Sequence, residues 1–108
     1  MSRPVGEGRR GVAILGSTGS IGTSALRVLE RHREKFDLIA LVAGSNRDVL
    51  DEQVARWKPR FAGLACGNGD ATIASGPESL IAAATHPDVD IVVNAVVGAA
   101  GLDATLAA

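Results

Sequence analysis

Apolar residues along this chain follow two rhythms. Val12–Leu15, Phe36–Ala43, Phe61–Ala65 and Ile91–Asn94 are short, nearly unbroken apolar runs. Runs of that length, rich in β-branched residues, read as strands buried on both faces. Between the first two, the spacing predicts a helix from about Ser20 to Arg33. Ile21, Ala25, Val28, Leu29 and His32 form its apolar face, with Arg27, Glu30, Arg31 and Glu34 opposite. Asp48–Lys58 is a second helix, with Leu50, Val54 and Trp57 one and two turns apart and Pro59 as its stop. The Gly-, Asp- and Asn-rich stretch 67–76 reads as a loop with a brief strand at Ala71–Ala74. Ser75-Gly76-Pro77-Glu78 then reads as a capping box opening a helix through about Thr85. A last helical pattern begins near Leu102 and is still running at Ala108.

Strands joined by helix-length connections cannot pair as hairpins, and right-handed crossovers make the sheet parallel. The expected fold is therefore α/β, a Rossmann-type doubly wound parallel sheet whose first strand lies between the second and the fourth. The final helix lacks an end signal, so the sheet is expected to be truncated at its carboxyl end, with the chain a fragment of a longer protein. Residues 1–10 are expected to form a flexible tail without the apolar core of a signal peptide, and residues 11–108 the incomplete domain.

Composition narrows the function classes. The chain is 46% hydrophobic, and its aromatics are Phe36, Phe61 and Trp57, so Val, Ile, Leu and Ala must build the core. The net charge of −1 gives no bulk attraction to nucleic acid or to an anionic membrane. No apolar stretch approaches the roughly 20 residues of a membrane span. Cys66 is the only cysteine, which excludes an internal disulfide and fits a reducing, cytoplasmic compartment.

The chemistry concentrates in Gly16-Ser17-Thr18-Gly19-Ser20-Ile21-Gly22, between the first strand and the first helix. This is a GxxGxxG variant of the dinucleotide fingerprint. Gly16 permits the tight turn, Gly19 lets a pyrophosphate approach the backbone, and Gly22 lets helix and sheet pack closely. The N–H groups of Thr18 to Ile21 and the positive helix end then face an anion, with the hydroxyls of Ser17, Thr18 and Ser20 as added donors. At the end of the second strand, Gly44-Ser45-Asn46-Arg47 holds no carboxylate to accept from a ribose 2′-hydroxyl. Ser, Asn and Arg would hold a 2′-phosphate, so NADP is favoured over NAD. Ser45 and Asn46 also fit a plain helix-capping role, and the two roles are compatible.

Three stretches together carry a more specific likeness. They are Ala13 through Gly22, Ala40 through Asn46, and Asn94 through Leu102 followed by Thr105 to Ala108. In this order they resemble the opening of the 1-deoxy-D-xylulose 5-phosphate reductoisomerase family, whose proteins are several times longer. Ala104 stands where that family usually has Pro. The resemblance implies conversion of 1-deoxy-D-xylulose 5-phosphate to 2-C-methyl-D-erythritol 4-phosphate in non-mevalonate isoprenoid biosynthesis. It implies NADPH as hydride donor, Mg²⁺ or Mn²⁺ held by residues outside this chain, and a bacterial homodimer. It places the NADPH contacts on Thr18, Gly19, Ser20, Ile21, Gly44, Ser45 and Asn46, and no catalytic residue within the chain. Two other readings remain: a different NADP-dependent reductase of the aspartate-semialdehyde dehydrogenase type, marked by a downstream catalytic cysteine, and a nucleotide-sensing module without chemistry.

The remaining polar residues read as structural. Cys66 has no partner histidine, His32 and His86 lie on separate elements, and Trp57 sits among apolar helix positions. Asp88, Asp90 and Asp103 are dispersed. Gly98–Gly101 follows the fourth strand, where it either approaches a cofactor or simply turns.

Overall fold

A computed structural model describes residues 9–66, 69–70 and 73–95. Its elements run β1 (Arg10–Leu15), α1 (Ser20–Arg31), β2 (Phe36–Ala43), α2 (Arg47–Trp57), β3 (Phe61–Leu64), β4 (Ala74–Ser75), α3 (Glu78–Ala84) and β5 (Ile91–Asn94). The strands form one sheet in the order β4-β3-β2-β1-β5, and every pairing is parallel. β1 is thus central, between β2 and the strand expected as the fourth, here β5. The chain moves outward from β1 to β4 and then crosses back to β5, which makes the β1–β5 boundary the switch point of the sheet.

β1, β2, β3 and β5 each feed two cores. From β1, Val12 and Ile14 join Leu26, Leu29, Leu41 and Leu50 on the face covered by α1 and α2. Ala13 and Leu15 join Ala40, Val42, Leu80 and Ala83 on the α3 face. The register slips between Val12 and Ala13, which pair with Leu38 and Ala40 and leave Ile39 as the extra residue. That bulge lets both Leu38 and Leu41 face the α1–α2 side despite their odd spacing. At the amino edge, the Asp90 carboxylate accepts from the Gly11 N–H at 2.9 Å, and Arg60 pairs with Asp88.

Several local expectations need correction. Arg10, assigned to the tail, is the first residue of β1 and pairs with Phe36. In α1 the sheet-facing residues are Gly22, Leu26 and Leu29, whereas Ile21 and Val28 are 63% and 52% exposed. The face is rotated because a glycine, which counts as nothing in a hydrophobic pattern, makes the closest contact with the turn. The capping box does not form: Ser75 is taken by β4, which pairs with Leu64, and Gly76 turns with φ +88°. The helix instead begins at Glu78, and the Ser79 hydroxyl donates to the Gly76 carbonyl at 2.7 Å. The brief strand is Ala74–Ser75, which shares Ala74 with its expected range 71–74; residues 71 and 72 lie outside the described residues. The expected final helix and the Gly98–Gly101 segment lie outside the described residues.

Candidate functional site

The two segments singled out by sequence come together at the carboxyl edge of the sheet. Leu15 and Val42 are paired across β1 and β2, so the chains leaving these strands start side by side. They are also tied: the N–H groups of Gly16 and Ser17 both donate to the Val42 carbonyl, at 2.7 and 3.0 Å. Gly16 makes the turn with φ +83°, a left-handed backbone that side chains rarely adopt.

The three glycines of the turn differ in what fixes them. A Cβ on Gly22 would lie 2.2 Å from the Gly16 carbonyl oxygen and 2.8 Å from Ser17 Cα, so the fold itself demands glycine there. A Cβ on Gly19 would meet only the Gly16 oxygen at 3.6 Å, an ordinary contact, and its φ of −78° and ψ of 174° suit any residue. Among the described residues, no packing contact requires Gly19. Gly44 is similarly open, with no atom of the described residues within 4 Å of an added Cβ.

Thr18 is half-buried, and Gly19, Ser20 and Ile21 are exposed. No acceptor among the described residues takes the N–H groups of Thr18, Ser20 or Ile21. With the first helical bond running from Thr23 N–H to Gly19 O, these donors form the open positive end of α1. Ser17 departs from its expected role as a hydroxyl donor to a ligand. It is fully buried, and its Oγ has no partner among the described residues. Its backbone is what matters, since Gln53 Nε2 donates to the Ser17 carbonyl at 2.8 Å. Sequence reasoning passed over Gln53; the available signal was a polar residue between Leu50 and Val54 on the inward stripe of α2.

On the β2 side, Gly44 is half-buried and Ser45 and Asn46 are exposed. Asn46 caps α2, its Oδ1 accepting from Val49 N–H at 3.2 Å, which leaves the amide N–H₂ for other uses. Arg47 is not the available cation the sequence suggested. Its guanidinium bonds Asp51 at 2.8 Å and Asp70 at 2.7 Å, and these hydrogen bonds raise its pKa further. The pair with Asp70 ties the start of α2 to the segment entering β4.

The remaining candidates are structural. His86 Nδ1 accepts from the Asp88 N–H at 3.1 Å. Trp57 packs on the α1–α2 core, with Arg33 4.3 Å above its ring. Cys66 is exposed and unpaired. Among the described residues no cluster of His, Cys, Asp or Glu could hold a metal ion, and no helix is long and apolar enough to cross a membrane. A groove of about 490 Å³ lies between α1 and α2, lined by Leu26, Arg27, Glu30, Gln53, Arg56 and Trp57 among others. It follows the helix seam, and Glu30 spans that seam to Arg56 at 2.8 Å.

The chain as a whole is similar to known proteins. Residues 12–108 match the family model for 1-deoxy-D-xylulose 5-phosphate reductoisomerase. The reductoisomerase of Symbiobacterium thermophilum is 43% identical over 93% of this chain, which spans 30% of that protein. A DOX-P reductoisomerase solved with NADPH, fosmidomycin and magnesium superposes with a TM-score of 0.82 at 37% identity, over 91% of this chain and 27% of that one. The enzyme of Zymomonas mobilis, solved with NADPH, gives a TM-score of 0.80 at 34% identity over 92% of this chain and 29% of its own. The chain thus spans about 30% of the length of the relatives it matches, and it belongs to the 1-deoxy-D-xylulose 5-phosphate reductoisomerase family.

Proposed function

We propose that this chain supplies the NADPH site of a 1-deoxy-D-xylulose 5-phosphate reductoisomerase, acting as the amino-terminal part of that enzyme. The observation that carries this reading is the contrast between Gly22, closed by the fold, and Gly19, which among the described residues is open and beside three N–H groups without an acceptor. A glycine that packing does not need, at the positive end of a helix, fits the approach of a pyrophosphate. Thr18, Gly19, Ser20 and Ile21 would hold it. Gly44, Ser45 and Asn46, on the neighbouring strand end, would take the adenosine ribose and its 2′-phosphate.

Bound NADPH would supply a hydride to the substrate. The role of this chain's residues is to bind and orient: backbone donors neutralise the phosphates, and the rigid strand ends fix where the dinucleotide can extend. Mg²⁺ or Mn²⁺ would be held by residues outside this chain. The substrate 1-deoxy-D-xylulose 5-phosphate, a homodimeric assembly, a cytoplasmic location and the division into an amino-terminal tail, ending before Arg10 of β1, and a cofactor domain running to residue 108 belong to the same reading. The experiment is calorimetric titration of the full-length protein with NADPH and with NADH, followed by NADPH oxidation with 1-deoxy-D-xylulose 5-phosphate and Mn²⁺. Tighter binding of NADPH and substrate-dependent oxidation are expected. Binding without turnover would favour a sensing module, and no binding would remove the reading.

A further inference from the structure

Gln53 is 8% exposed and lies beside Leu50 on the buried stripe of α2, where packing alone would favour an apolar side chain. Its one bond reaches across 36 residues to the carbonyl of Ser17, the second residue of the glycine turn. Only the N–H₂ end of an amide can donate to a carbonyl, so the orientation of Gln53 is fixed by its partner. Ser17 is thereby held from both sides: its N–H by the Val42 carbonyl at 3.0 Å and its C=O by Gln53 at 2.8 Å.

The consequence falls on Thr18. A trans peptide is planar and sends its C=O and N–H in opposite directions, and none of the described peptides is cis. With the Ser17 carbonyl drawn into the protein, the N–H of Thr18 must face away from it. That N–H has no acceptor among the described residues. We infer that Gln53 is a positioning residue for the dinucleotide: it fixes the Ser17–Thr18 peptide so that a donor, not a carbonyl, faces the ligand's phosphates. The inference rests on the NADPH reading above. Without Gln53, the buried Ser17 oxygen lacks a partner, and rotating the peptide relieves it by turning the oxygen outward. A phosphate would then meet a negative dipole where it had met a positive one.

The test uses Gln53→Met, which keeps volume and removes the donor, and Gln53→Glu, which is isosteric and can donate only when protonated. NADPH dissociation constants and melting temperatures are measured on the full-length proteins at about pH 8 and about pH 6, a range over which a buried carboxyl with a raised pKa changes state. Gln53→Met should weaken NADPH binding on the order of tenfold, the value of one donor to a charged group, by the same factor at both pH values. Gln53→Glu should bind worse than Gln53→Met at the higher pH and recover toward wild type at the lower, as its O–H takes over the bond to Ser17. KM for 1-deoxy-D-xylulose 5-phosphate at saturating NADPH should stay unchanged. Lowered melting temperatures with NADPH affinity within about twofold of wild type at both pH values would reduce Gln53 to a packing residue. Should Gln53→Glu fail to fold, Gln53→Met alone decides between these outcomes. A wild-type protein that does not bind NADPH would overturn the parent reading, and this inference with it.

Discussion

Gly19→Val and Gly22→Ala separate ligand from fold as the reason for glycine. At Gly22 the added carbon would sit 2.2 Å from the Gly16 oxygen and 2.8 Å from Ser17 Cα. Relief needs a shift of about 1 Å in α1 or the turn, because non-bonded carbon contacts are optimal at roughly 3.5–4.0 Å. The neighbouring atoms are backbone, pinned to Val42 by two hydrogen bonds, so they cannot rotate away. A shift of α1 would also loosen Leu26 and Leu29 from the sheet. Overpacking of this kind costs about 1–3 kcal/mol, and the usual gain of Ala over Gly in a helix, up to about 1 kcal/mol, offsets part of it. A net loss of about 1–2 kcal/mol is expected. At Gly19 the nearest atom is 3.6 Å away and the backbone is extended, so stability should change by less than about 1 kcal/mol. A Val there would stand over the donors of Thr18, Ser20 and Ile21. Losing two charge-assisted bonds of about 1.5–3 kcal/mol each lowers NADPH affinity at least about a hundredfold. Urea unfolding and NADPH titration of both variants read the two quantities separately. Full NADPH affinity in Gly19→Val, or unchanged stability in Gly22→Ala, would refute the reasoning.

Three further outcomes follow from the same geometry. Arg47→Ala should weaken NADPH and NADH binding by similar, few-fold factors, because Asp51 and Asp70 already hold the guanidinium; a loss selective for NADPH, measured by parallel titrations, would mean that it leaves them for the 2′-phosphate. Ser17→Ala should leave NADPH affinity unchanged and stability equal or higher, because the deleted hydroxyl is buried without a partner among the described residues; a tenfold affinity loss would restore the hydroxyl as a ligand contact. The Glu30 carboxyl is held below its ordinary value of 4.5 by hydrogen bonds from Arg56 and then Arg33. Its depressed pKa means that the contribution of the α1–α2 clasp is present above the ordinary glutamate range and lost as pH falls through the folded value. The difference in urea midpoint between wild type and Glu30→Gln should therefore be small but visible at neutral pH and vanish in strong acid; a difference independent of pH would contradict that sign.

What could be read from sequence was local. β2 and β5 appear at their expected bounds because unbroken apolar runs admit few alternatives, and the glycine turn followed from its place between a strand and a helix. What escaped was set by tertiary contact. Ile21 and Val28 looked like core residues, yet Gly22 occupies the closest approach to the turn and rotates α1 away from them. Ser75 matched a capping box, but pairing with β3 claimed it first. Arg47 looked available because Asp70, 23 residues away, gives no sign in sequence that it will arrive there. Gln53 stood out only as a polar residue on an inward stripe; its partner could not be read, because that partner is a backbone carbonyl 36 residues away.

Titrating isotopically labelled full-length protein with NADPH, followed through its backbone amide resonances, locates the dinucleotide directly. The largest shifts should fall on Thr18, Gly19, Ser20 and Ile21 and on Gly44, Ser45 and Asn46. NADH should move the first group comparably and the second group less. Shifts confined to the groove between α1 and α2, or none at saturating NADPH, would contradict that placement.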